Sequence, residues 1–202
     1  MNSINLVLAI LFIGLVVVGV GMLVAPLLIG KRKRDKQTKI LTELTSINDN
    51  ILAICSKTLS TFASHPLSKK LVDDPNVALL FQKHDDLGKL FKRIRGYIIH
   101  LHPVHPEVHN FAVVINHAKY EFKNADITLG IISNALTALI QSVVDQTQQP
   151  TAQEQSFVFN LQHSITHLEE GRHLAGIASQ QLDNLELVMN TIDYSKNQEA
   201  AK

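Results

Sequence analysis

From Ile4 to Ile29 the chain carries no charged side chain and one amide, Asn5, and the cluster Lys31-Arg32-Lys33-Arg34 follows at once. No other feature restricts the possible folds so strongly. At ~1.5 Å per residue the stretch makes a helix of roughly 39 Å, enough to cross a ~30 Å hydrocarbon core with tilt to spare. A cleaved secretory signal would place a basic residue ahead of an apolar core of ~7–15 residues. Met1 to Asn5 supplies no such residue, and no small-x-small site ends the stretch, because Val24-Ala25-Pro26-Leu27 continues it. The expectation is a retained transmembrane anchor over residues 1–30.

The flanking charges set its direction. Lys31, Arg32, Lys33, Arg34, Lys36 and Lys39 lie just after the stretch, opposed only by Asp35. The positive-inside rule keeps that side in the cytoplasm. The same six cations would rest against anionic lipid headgroups, at ~1 kcal/mol each near the surface. Residues 31–39 are therefore read as a basic juxtamembrane segment and a membrane-surface site. Within the anchor, Gly21-xxx-Ala25 is a small-xxx-small pair that permits a second copy to approach closely.

Behind the anchor the chain changes character. Lys and Arg number 19 and Asp and Glu 18. Setting aside the six juxtamembrane cations and Asp35 leaves a mildly acidic body, which excludes a nucleic-acid binder by composition. The one cysteine, Cys55, has no partner for an internal disulfide, in keeping with a reducing compartment.

The body reads as helix throughout. Ile40, Leu44, Ile47, Ile51, Ile54 and Thr58 alternate steps of four and three, which predicts a helix from about Asp35 to Ala63, continuous with the anchor. Ser64-His65-Pro66 breaks it. Asp74-Pro75 then supplies an N-cap and a proline at the first helical position. Val77, Leu80, Leu87, Leu90, Ile94, Ile98 and Leu101 carry the second stripe, which Pro103 and Pro106 end. The third runs from Val108 through Phe122, Leu129, Ile132, Leu136 and Leu139 to Val143, in a helix expected from about Pro106 to Gln148. Thr151-Ala152-Gln153-Glu154 is a capping box that opens a fourth stripe, Leu161 to Ile192. Asn197 to Lys202 should fray.

The expected fold is all-α: a single N-terminal transmembrane helix, then an elongated antiparallel bundle of about four helices over residues 40–195, with a disordered tail at 196–202. Short connections make successive helices antiparallel neighbours. The third and fourth helices are expected to outrun the first two by roughly 15 residues, or ~20 Å. That overhang would leave apolar positions uncovered, and exposed apolar patches mark interaction surfaces. Leu129, Ile132, Leu136 and Leu139 are the partner-surface residues this predicts. The heptad spacing also permits association between copies.

Histidine is the chemical anomaly, at ten residues. His100, His102, His105 and His109 crowd one turn, but its prolines oppose a preformed metal cage and no cysteine joins the set. His163, His167 and Glu170 share one face of the last helix, on the side away from the Ile165–Leu168 seam, so a solvated face is expected there. His173 lies to the side. Glu170-Gly171-Arg172-His173 is a single Glu-x-x-His, whereas di-iron bundles need two. The run Lys89, Lys92, Arg93 and Arg95 ends the second helix where it returns toward the membrane. No glycine-rich phosphate loop and no nucleophile signature occurs. The reading therefore assigns no catalytic, metal or cofactor site.

The layout is similar to that of single-span bacterial proteins with cytoplasmic helical domains, such as division or envelope-assembly factors. The likeness is one of architecture, with no shared motif, and transfers no residue or activity. The function expected is a non-enzymatic scaffold at the cytoplasmic face of a bacterial inner membrane that recruits protein partners. The alternatives are a metal or pH sensor built on the histidine-rich turn and, third, a membrane-bound helical enzyme.

Overall fold

The structure, a computed structural model, describes residues 3–102, 111–145 and 149–199, with side chains described over 30–102, 111–145 and 149–190. Four α-helices and one short 3-10 helix make up these residues: α1 Ser3–Ser64, the 3-10 helix Pro66–Leu71, α2 Pro75–His100, α3 Phe111–Asp145 and α4 Ala152–Glu199. No strand occurs among the described residues. The chain is all-α, as the periodicity predicts.

The boundaries follow local chemistry. α1 ends at Ser64, and Pro66 opens the 3-10 helix with His65 as its cap, the imidazole Nδ1 accepting from the Leu67 N–H at 3.3 Å. Asp74 caps α2, its Oδ1 accepting from the Asn76 N–H at 2.8 Å, with Pro75 in the first turn. The capping box forms as read. The Thr151 N–H donates to Glu154 Oε2 at 2.8 Å and the Glu154 N–H donates back to Thr151 Oγ1 at 3.3 Å. Each pair removes donors that a helix start leaves orphaned.

α1 packs on α2 and α4, and α3 packs on α2 and α4, so each helix has two neighbours and the ring closes. The cross-links show every neighbour to be antiparallel. Gln37 of α1 donates to the Leu101 carbonyl at 2.8 Å, while at the other end Phe62 meets Phe81 edge-on. Arg93 bonds Glu121, and Ser142 reaches Asp74. Lys119 pairs with Asp183, and Arg172 with Asp126. Phe62 and His65 both pack against Phe157 with tilted rings. The bundle thus has a proximal end, at Gln37, Leu101 and the start of α3, and a distal end, at the 3-10 helix and the α3–α4 turn.

α1 is one helix of 62 residues. Its backbone is continuous from the apolar stretch into the bundle, across both expected boundaries near 30 and 40. Side chains 3–29 lie outside the described residues. α4 runs helical to Glu199, beyond the point where fraying is expected, and 200–202 lie outside the described residues, as do 103–110, where the histidine-rich turn and the expected start of α3 fall.

One helix is long and apolar enough to cross a membrane by length and composition among the residues searched, and it is α3. Its apolar face has another use, since Ile115, Phe122, Leu129, Leu136 and Leu139 have no exposed surface in the bundle core.

The overhang is corrected by the structure. Leu129, Leu136 and Leu139 are fully buried and Ile132 is 2% exposed. α3 has 35 residues and α2 has 26, a difference of ~13 Å at helical rise. Even so, α2 spans the predicted residues, because Arg93 meets Glu121 and the cap residue Asp74 meets Ser142. The 3-10 helix packs on α1 and α4 at the distal end and buries Leu67 and Leu71. Leu129, Ile132, Leu136 and Leu139 are therefore core residues and not an overhang.

Candidate functional site

Of the six cations that follow the apolar stretch, Lys31, Arg32, Arg34, Lys36 and Lys39 are exposed and Lys33 is half-buried. They occupy α1 between the apolar stretch and the bundle. Gln37 sits among them yet is 4% exposed, because its amide is tied to the Leu101 carbonyl. That bond sets the last turn of α2 beside the cations. Lys39 makes a loose pair with Glu43 at 3.9 Å, and such exposed pairs contribute little.

The second basic run is half consumed by ion pairs. Lys89 is 2.6 Å from Asp85, and Arg93 grips Glu121 through two bonds, at 2.7 and 3.1 Å. Lys92 and Arg95 remain exposed. Glu121 was not legible as a core residue, since a carboxylate breaks a hydropathy stripe. The Arg93 guanidinium lowers its pKa, against the opposing effect of burial.

A groove of about 420 Å³ runs between α3 and α4, beside Lys119, Lys123 and Arg172. It resembles an anion site only until its charges are paired. Lys119 lies 2.6 Å from Asp183 and 2.8 Å from Glu186, and Arg172 holds Asp126 at 2.8 Å and Glu169 at 3.1 Å. Burial lowers the Lys119 pKa, but the two carboxylates more than offset it and hold the ammonium charged. The groove is a structural seam between α3 and α4.

The distal end carries an apolar notch that the sequence reading missed. Val143, Val144, Pro150, Val158 and Phe159 line about 280 Å³ beside the α3–α4 turn. Val144 is 51% and Phe159 68% exposed. Both lie off the core stripes, which is the signal that would have found them.

Of the histidines, His100 is exposed and His102 half-buried, while His105 and His109 lie outside the described residues. His163 and Glu170 are exposed and His167 half-buried on the outer face of α4, and His173 is exposed. No group of three or more metal-ligating side chains converges among the described residues. Cys55 is buried in α1, and burial pushes its thiol up to about 12, which removes it as a nucleophile at neutral pH.

This geometry presents a cation belt at one end, an apolar notch at the other and a tightly paired middle. No family model, curated protein or solved structure matches the chain.

Proposed function

We propose that the protein is a membrane-anchored, non-enzymatic helical scaffold, held by residues 4–29 at the cytoplasmic face of a bacterial inner membrane, with its distal end recruiting a protein partner. The observation that carries this reading is the continuity of α1 from Ser3 to Ser64. A single helix joins the uncharged stretch to the bundle and passes through the cation belt on the way. Cations placed there favour anionic headgroups and keep the bundle on their own side.

The recruiting surface moves from the buried α3 stripe to the distal notch. Val144 and Phe159 are solvent-facing at the end opposite the anchor. Large exposed apolar side chains beside a preformed notch suit the insertion of a partner's apolar anchor residue.

Co-purification from native membranes tests the proposal. The full chain should remain in the membrane fraction and bring down a partner. The double variant Val144→Asp, Phe159→Asp should lose that partner while keeping its membrane location and helical content. A chain found in the soluble fraction would overturn the anchor. Retention of the same partner by the double variant would remove the notch from the proposal.

A further inference from the structure

The outer face of α4 holds a pair of imidazoles with a defined mutual geometry. His163 and His167 stand one turn apart, with Nε2 to Nε2 at 3.0 Å and ring centroids 4.4 Å apart. The Nδ1 of His167 lies 3.0 Å from Glu170 Oε2. Below them, Leu161, Ser164 and Leu168 are buried and fix this stretch of α4 against the bundle. The two rings therefore project from a rigid element.

We propose that His163 and His167 form a two-nitrogen chelate for a late first-row divalent cation, with Glu170 as the residue that orients His167. Metal–imidazole bonds are ~2.0–2.1 Å long. Two nitrogens 3.0 Å apart then subtend an angle of about 91–97° at the ion, given bonds of that length. That is the cis angle of an octahedral or square-planar centre, which suits Ni²⁺ or Cu²⁺ better than tetrahedral Zn²⁺.

The proton arrangement fits. A carboxylate facing Nδ1 keeps the His167 proton on that nitrogen and leaves Nε2 unprotonated, its lone pair toward His163 Nε2. This is the carboxylate–histidine arrangement that sets the tautomer of metal-ligating imidazoles and raises their basicity. In the hydrogen-bonded pair His163 Nε2 is then the donor, so binding requires its proton to move to Nδ1, which changes no net charge. The remaining coordination positions face solvent and would hold water. Lys57 and Asn50 line the adjoining cleft against α1. The lysine charge opposes a cation there, so the ion sits on the outer side of the pair, away from α1. An open site of this kind exchanges its metal readily.

Calorimetric titration with Ni²⁺ tests this on the full chain in detergent micelles. The background carries glutamine at His100, His102, His105 and His109, so that the other histidine cluster does not compete. One equivalent of Ni²⁺ should bind per chain. His163→Gln and His167→Gln should each weaken binding at least tenfold, and Glu170→Gln by about tenfold, the usual effect of losing an orienting partner. Helical content should be unchanged in all three, because the side chains lie on the outer face. Absence of binding, or binding equally strong in His163→Gln, would overturn the chelate.

Discussion

Glu121 is the residue whose surroundings differ most from its sequence context. It sits between Tyr120 and Phe122 on α3, its side chain 10% exposed, and the Arg93 guanidinium lies across it from α2 with bonds of 2.7 and 3.1 Å. A buried carboxylate is stable only when its partner is in place, and a bidentate guanidinium is the best partner available. The pair lowers the Glu121 pKa in the folded protein. Its stabilisation is therefore fully present above the ordinary glutamate value of 4.5 and is lost as pH falls below that value through the depressed one. Replacing Arg93 with alanine should cost about 1–3 kcal/mol at neutral pH by leaving the carboxylate poorly paired, and Glu121→Gln should flatten the acid limb of the stability curve below pH 4.5. Thermal unfolding of both variants between pH 3 and 7 measures this. An acid limb that is unchanged in Glu121→Gln would mean that other carboxylates govern acid unfolding.

The starts of α2 and α4 were legible because each is written in two to four consecutive residues. Asp74-Pro75 and Thr151 with Glu154 act on backbone groups two or three residues away. The seam of α1 was only partly legible. Its core positions run Leu41, Leu44, Asn48, Ile51, Cys55, Thr58 and Phe62, all buried. Thr58 was in the predicted stripe, but Asn48 is polar, so hydropathy passed over it and took in Ile54, which lies half-buried on the flank. The overhang failed for a different reason. A stripe shows which residues seek burial and not which neighbour covers them, and the register that brings Asp74 of α2 to Ser142 of α3 joins residues far apart in sequence. Exchange of Ile132 and Leu136 for aspartate decides between the two readings. Both side chains are core, 2% and 0% exposed, so each substitution buries an unpaired carboxylate. The double variant should lose cooperative unfolding altogether. Retention of a native melting transition would return these residues to the surface.

At the scale of the whole molecule, two helices compete for the membrane, and they imply different topologies. α1 carries the uncharged stretch Ile4 to Ile29 with a cation belt behind it. α3 also passes the test of length and hydropathy. The second half of α3, from Ile127 to Val144, has no charged residue, but its first half is laced into the bundle through Lys119, Glu121 and Asp126. Pulling α3 into lipid would break those pairs and strip the core from α1, α2 and α4. The α1 stretch carries no charged side chain, and Lys31 to Arg34 bias its orientation. A chain anchored by α1 alone keeps the α2–α3 turn and the C-terminus on one side, whereas a chain that also inserts α3 places them on opposite sides. Reporters fused after Lys202 and inserted between His102 and Phe111 should therefore both behave as cytoplasmic. Neutralising Lys31 through Arg34 should weaken that preference at both positions together, since one span carries both. Opposite sidedness at the two positions would make α3 a second span and would require the bundle to come apart in the membrane.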